Sequence, residues 1–187
     1  HVCFKHIMRL VRLDVSPDSI VRVGPNTIFT LSNLAGTDAQ PFTKFSLFTG
    51  DLWMILNSAR HGGSLEVETP VGVAAVRGSY MGVEYDDLTE NMIGSCLEGD
   101  CNLKNGFGIT DLKAEEETSI VSMDLPPLQP KTMDPTRLEK WRQLVKESQQ
   151  LIAPAQARMQ ATWNAPGFEQ TRSAFQTLVP RFTPQRT

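Results

Sequence analysis

Little in this sequence invites a catalytic or metal-binding reading. The three histidines, His1, His6 and His61, fall at no spacing that would gather a metal ion. Three cysteines do not make a disulfide framework, although two of them can pair. No G-x-S-x-G, P-loop or H-E-x-x-H occurs, and no cysteine–histidine pair sits in a catalytic context. Serines and carboxylates are plentiful without forming a recognisable combination, so the chain reads as a non-enzyme with no cofactor and no metal site. No apolar run approaches the ~18–20 residues that span a bilayer. A net charge of −3 gives no argument for nucleic acid or an anionic membrane. A signal peptide is missing too, and the chain starts with His1 rather than Met. It therefore reads as a fragment or processed product with a truncated N-terminus, its export signal and any membrane anchor lying upstream in the parent chain.

What is present is turn-rich and β-like. Apolar residues make up 40% of the chain, alongside 13 Gly and 12 Pro, as in a globular protein with many turns. The most ordered pattern runs from Leu65 to Tyr85. Leu65, Val67 and Thr69 alternate with Glu66 and Glu68, the signature of a half-buried strand. Pro70 cannot donate a ladder hydrogen bond and marks a strand end. Val71 to Val76 is continuously apolar, as for a strand packed on both faces. Arg77-Gly78 follows, then a second alternating strand carrying Met81, Val83 and Tyr85.

Thr69, Pro70, Ala75, Val76, Arg77, Gly78 and Ser79 spell T-P-x-x-x-A-x-V-R-G-S, which resembles the signature of the FecR domain family, with Ser79 where Thr is usual. The upstream R-V-G-P-N-T-x-F-x-L and L-F-T-G-D-L-W segments resemble the first half of that domain, and the resemblance covers roughly residues 9 to 122. It implies an extracytoplasmic domain, in the periplasm or at the cell surface, that senses or regulates through contact with a protein partner. In the members that name the family, the domain relays an outer-membrane transporter's state to a sigma factor. The family usually closes on a Gly-Glu hairpin, for which this chain has Ala114-Glu115-Glu116-Glu117, with Ser119 to Val121 as the last strand.

Taken in order, Val11 to Val15 alternates, Ser16 to Ser19 is a turn, and Ile20 to Val23 is a short strand. Gly24-Pro25-Asn26 turns into Thr27 to Leu31, and Asn33 to Pro41 reads as a small polar loop. Thr49-Gly50-Asp51 predicts a hairpin between Lys44–Phe48 and Leu52–Leu56. Glu98-Gly99 predicts another, between Met92–Leu97 and Asp100–Lys104, and Asn105-Gly106 a third.

If Glu98 and Gly99 are the two central residues of a tight turn, Cys96 stands directly opposite Cys101, about 4.5 Å away between Cα atoms, close enough for a disulfide. A three-residue turn with Gly99 as a bulge sets Cys96 against Asp100 and leaves two free thiols. The oxidising compartment that the resemblance implies would let the bridge persist.

Of the other candidates, Arg77 reads as a structural partner of Glu66, Glu68 or Glu84. Gly78 serves backbone geometry. Trp53 reads as core rather than a sugar platform, and Asp86 to Glu90 as a solvated acidic loop without calcium-loop spacing.

The fold expected is mainly antiparallel β: a sandwich or rolled sheet of short hairpins, with a flattened β-solenoid as the alternative. The β domain spans 1–123. A proline-rich linker spans 124–133, where Pro126, Pro127 and Pro130 disfavour a sheet, and a helical segment spans 134–187. In that segment Asp134-Pro135 starts a helix, and Leu138, Trp141, Val145 and Ile152 form its apolar stripe. Pro154 interrupts the pattern, a second piece covers Ala155 to Thr162, and Phe168, Phe175 and Leu178 mark a third. A non-catalytic envelope binding or scaffolding module, such as one for carbohydrate, is the alternative function.

Overall fold

The structure, a computed structural model, describes residues 2–4, 11–16, 19–37, 40–56 and 64–163. In chain order the strands are β1 (Val2–Phe4), β2 (Val11–Ser16), β3 (Ser19–Val23), β4 (Ile28–Thr37), β5 (Gln40–Leu56), β6 (Ser64–Thr69), β7 (Gly72–Asp86), β8 (Asn91–Asn105), β9 (Gly108–Leu112), β10 (Glu116–Ile120) and β11 (Lys131–Thr132). One helix, α1 (Pro135–Trp163), follows.

Three of these strands, β5, β7 and β8, are 15 to 17 residues long, and each serves two different sets of neighbours along its length. The first half of β5 pairs with β4 and, in parallel, with β6. Its second half pairs with β3 and β7. Residues 72–77 of β7 pair with β6 and with residues 100–104 of β8, which in turn pair with β9. Residues 81–86 of β7 pair with 91–96 of β8, which pair with β10 and through it with β11. The result is two leaves folded over one another at a corner that the long strands turn together. Strands that switch sheets through bulges are how such corners are made. In β7 the corner is a register shift between Arg77 and Met81, and in β8 it is residues 97–100.

The apolar faces of the two leaves meet in one core. Phe29, Phe45, Leu47, Leu65, Val67, Val76 and Leu103 come from one leaf; Val21, Val23, Leu52, Met54, Met81, Val83, Met92 and Ile120 come from the other. Phe29 and Phe45 meet edge to face with ring centroids 5.9 Å apart. The alternation read from Leu65, Val67 and Thr69 is therefore real, because all three are buried while Glu66 and Glu68 are not.

The mainly β architecture stands, but the short hairpins give way to long bent strands. Gly50 (φ 93°) and Gly99 (φ 84°) do adopt the left-handed conformation that favours glycine, yet each lies within one continuous strand. A local turn signal specifies a change of direction, not whether the chain reverses or bends. Likewise β4 and β5 pair out to Thr37 and Gln40, inside the stretch expected to be a polar loop. The Asn105-Gly106 hairpin does form, with Asn105 paired to Gly108 and the Asn105 carboxamide oxygen accepting from the Phe107 amide at 2.9 Å. Glu115 (φ 63°) takes the left-handed position of the last turn despite its side chain.

The proline-rich stretch is not a free linker. Leu128 N donates to Ser119 O at 2.9 Å and Thr118 Oγ1 to Leu128 O at 2.6 Å. Lys131 and Thr132 then pair with Glu117 and Glu116. Proline removes only its own donor, so the residues between and after the prolines can still pair with an edge strand. The helix also differs from expectation, since it continues through Pro154 to Trp163. The alanines around that proline and the long side chains before it are strong helix formers and carry it past the missing bond. Residues 164–187, including Phe168, Phe175 and Leu178, lie outside the described residues, as do His1, His6 and His61.

Candidate interaction surfaces

The first part of the T-P-x-x-x-A-x-V-R-G-S motif lies in the hairpin of β6 and β7. Thr69 is buried, with its hydroxyl donating to Gly72 O at 3.1 Å, across the two-residue turn formed by Pro70 and Val71. Ala75 and Val76 lie on β7 opposite Glu66 and Leu65, with Val76 fully buried. The backbone of Arg77 is registered with Ser64 and Asp100 where β7 enters the corner. The side chains of Arg77 and Ser79, and the environment of Gly78, lie outside those described. Each of the three carboxylates weighed as an Arg77 partner is engaged by another cation: Glu66 by Lys104 at 3.3 Å, Glu68 by Lys44 at 2.9 Å, and Glu84 by Arg137 at 2.9 Å.

At the corner, Cys96 and Cys101 form a disulfide with Cα atoms 5.9 Å apart. They are not cross-strand partners in a hairpin, as the tight-turn register required. Both lie on β8, where Cys96 faces Met81 and Cys101 faces Val76 of β7, so the bridge closes the four-residue bulge between them. Both cysteines are buried in the core.

The second leaf has an outer face, and α1 covers it. The registers place Arg22, Trp53, Gly82, Ser95, Glu117 and Lys131 side by side in one row across β3, β5, β7, β8, β10 and β11. The helix meets this row residue by residue. Arg137 donates to Glu117 at one end and to Glu84 at 2.9 and 3.1 Å. In the middle, the fully buried Trp141 donates its indole N–H to Ser95 Oγ at 3.0 Å. Lys140 Nζ sits 4.3 Å from the centroid of the Trp53 ring. At the far end Glu147 accepts from Arg22 at 2.6 Å. The lengths agree: ten helical residues rise about 15 Å, and four steps between strands span about 19 Å. Asp134 caps the helix, accepting from the amides of Thr136 (2.9 Å) and Arg137 (3.2 Å).

Charge at this face is held tightly. Burial alone would lower the Arg137 pKa, but the hydrogen bonds and charges of Glu84 and Glu117 hold it above its ordinary value. Burial, and then the charge of Glu84, pushes the Asp51 carboxyl up, opposed by Lys140 and Arg137. Trp53 is therefore roofed core and offers no open aromatic platform for a sugar. Leu144 and Met133, both buried here, were missed in the sequence, although Leu144 lies three residues from Trp141.

A different surface is open. Phe107 and Ile109 on the β8–β9 hairpin, with Val121, Met123, Leu125 and Leu128 on the following segment, are all large apolar residues between 45% and 61% exposed. The two stretches are tied together where Asn105 Nδ2 donates to Leu125 O at 2.6 Å. Met123 also lines a shallow groove of about 410 Å3 between the Pro70-Val71 turn and Lys104 to Gly106. Large contiguous apolar patches on a protein surface mark interaction sites, whereas single exposed apolar residues are ordinary. Among the described residues no group of three or more potential metal ligands gathers, and no helix is long and apolar enough to cross a membrane.

Comparison with solved structures finds this fold elsewhere. Its fold is shared with a candidate anti-sigma factor. Two crystal structures, each of a candidate anti-sigma factor from Parabacteroides distasonis, match with TM-scores of 0.58 and 0.57 at 17% and 15% identity. Each match covers 76% of this chain and 64% or 63% of the neighbour, less than two thirds of its length. No protein-family model matches the sequence, and no curated protein matches it significantly.

Proposed function

We propose that this chain is a non-catalytic FecR-like regulatory module that works by protein–protein contact in the cell envelope. The observation that carries this reading is the set Phe107, Ile109, Met123 and Leu125, all exposed on two stretches that the Asn105–Leu125 hydrogen bond joins. Apolar side chains at this density are stabilised when a partner removes them from water, at about 25 cal/mol per Å2. The fold shared with a candidate anti-sigma factor supports a signalling role. The buried Cys96–Cys101 bridge supports an oxidising, extracytoplasmic compartment, because such bonds are rare where thiols are kept reduced. The partner is a protein of the same compartment, and nucleic acid has no place in this reading.

The test is site-specific photo-crosslinking in the native host. A crosslinker at Ile109 or Met123 should trap one dominant protein, whereas one at Glu98, on the corner, should not. Equal, diffuse labelling from all three positions would remove the contact reading. Secretion of an alkaline phosphatase fusion to the parent chain checks the compartment, and an inactive fusion would remove that part.

A further inference from the structure

Among the described residues four strands pair on one side only: β1 and β9 in one leaf, β2 and β11 in the other. Open edges invite further pairing, and three of the four carry a device against it. β1 has three residues, β2 is irregular between Asp14 and Ser16, and β11 has two residues, one of them Lys131. β9 has none of these: its five residues include no proline or lysine and keep one register against β8. Asn105 and Gly108 close the hairpin as a hydrogen-bonded pair, so bonded pairs recur at Thr110 and Leu112, and the backbone groups of Ile109 and Asp111 point away from β8. Among the described residues no backbone group bonds to them from that side. The 125–127 stretch does not close this edge. It lies against the face of β9 that carries Gly108 and Thr110, where Thr110 Oγ1 donates to Pro127 O at 3.5 Å and a Cβ on Gly108 would lie 2.9 Å from Pro126 Cβ. The opposite face presents Ile109 and Asp111, both exposed. Asp111 takes part in none of the ion pairs among the described residues. Beside it on β8, Asn102 keeps a buried Oδ1 without a hydrogen-bond partner, so this position holds acceptors and lacks a donor.

We propose that β9 is the edge to which the partner of this chain adds an extended segment as a further antiparallel strand, with an arginine or lysine opposite Asp111 and an apolar residue opposite Ile109. In an antiparallel pair those two partner residues lie two apart on one face, so the segment reads basic-x-apolar from its N-terminal end. It exchanges backbone hydrogen bonds with Ile109 and Asp111, whose groups are the open ones. Strand addition draws affinity from the main chain and specificity from alternate side chains. Charge decides the occupant. The outward residues of β9 are Ile109 and Asp111 alone, so a second copy paired on this edge offers Asp111 no cation. A basic residue set opposite it gains attraction, and a like charge there is unfavourable. This placement rests on the contact reading above, which puts the partner at Ile109, and it adds the form the partner takes.

The probe is a synthetic peptide, Thr-Val-Thr-Arg-Thr-Val-Thr-Val-Thr, titrated into the isotope-labelled full chain and followed by amide NMR shifts. It should move the Ile109 and Asp111 amides first and slow their exchange with solvent. The same peptide with Glu for Arg should bind about three- to tenfold more weakly, and so should the original peptide on Asp111→Asn. Asp111→Pro removes one outward N–H, spares the ladder to β8 and should abolish binding. Equal binding of the Arg and Glu peptides, undiminished binding by Asp111→Pro, shifts confined to other surfaces, or no shift at millimolar peptide would each overturn the proposal. A dimer formed through these amides without peptide would also overturn it, making a second copy the occupant. If Asp111→Pro does not fold, a peptide N-methylated at its Arg and at the Val two residues on takes its place, and undiminished binding of that peptide is equally decisive. A partner crosslinked at Ile109 with no peptide binding would leave the contact reading standing and strand addition refuted. Peptide binding with only diffuse crosslinks would do the reverse.

Discussion

Gly82→Ala adds one methyl group at the point where sheet and helix are closest. The new Cβ would lie inside contact distance of two rings and a hydroxyl: Trp141 Cζ2, Trp53 Cδ1 and Ser95 Oγ. Neither ring can swing away cheaply, because both tryptophans are almost fully buried and the Trp141 N–H is held by that same serine. Two responses are open. If the strand and helix separate slightly while Trp141 stays in place, the cost is that of overpacking, about 1–3 kcal/mol. If Trp141 leaves, its burial is forfeited, which places a ceiling of about 3–5 kcal/mol. A loss of about 2–3 kcal/mol follows, and the helix should be the first part to suffer. Urea unfolding gives the total, and amide exchange shows whether α1 loses protection ahead of β8. Combining Gly82→Ala with Trp141→Phe, which trims the ring edge facing the new methyl, should recover part of the loss, a positive coupling in a double-mutant cycle. A neutral Gly82→Ala, or strictly additive effects with Trp141→Phe, would show that the space at Gly82 does not hold the helix.

Three further outcomes are expected. Replacing Cys96 and Cys101 together with Ala should lower stability by about 2 kcal/mol, the loop-closure contribution of so short a ring; reductant should reproduce the loss in the unaltered protein and do nothing to the variant. Arg137→Met removes the cation shared by Glu84 and Glu117 and leaves Glu117, whose side chain is 4% exposed, with Lys131 as its remaining cation among the described residues, beside the Asp134 amide. It should cost about 2–3 kcal/mol at neutral pH, near the lower end for breaking a buried pair, whereas Arg142→Met, at an exposed pair with Glu115, should fall within about 0.5 kcal/mol of the parent by the same urea titration. Asp51→Asn should stabilise the protein at neutral pH, because burial and Glu84 raise the Asp51 pKa and so disfavour its charged form in the fold. For a raised carboxyl the favourable contribution is complete below the unfolded value of 3.8 and is lost as pH rises through the folded one. The advantage of the asparagine should therefore vanish in unfolding curves taken below about pH 3.8; an advantage that persists there would contradict the burial argument.

The sequence showed the alternating faces of β6 and β7, the Asn105-Gly106 hairpin and the Asp134 cap, because each is written in neighbouring residues. The folding of long strands across a corner was not legible. Thr49-Gly50-Asp51 and Glu98-Gly99-Asp100 carry turn chemistry, and a chain that bends into a second leaf uses the same glycine as one that reverses. The expected linker at 124–133 pairs with the sheet for a related reason: proline counts against a strand interior but says nothing of an edge, and β11 is an edge. The row from Arg22 to Lys131 draws one residue from each of six strands, so no window of sequence contains it. Trp141 was legible as part of a stripe, and only the register shows that Gly82 is the space it fills.

Contact through the exposed apolar patch is the central claim, and it reduces to one affinity. Once the protein trapped from Ile109 is purified, its Kd for the unaltered chain and for Ile109→Asp can be compared by calorimetry, with unfolding curves confirming equal stability. Ile109 is 61% exposed, so the aspartate should leave the fold intact. Burying its charge against an apolar partner should weaken binding by at least tenfold, about 1.4 kcal/mol or more. An unchanged Kd in a stably folded variant would contradict the account.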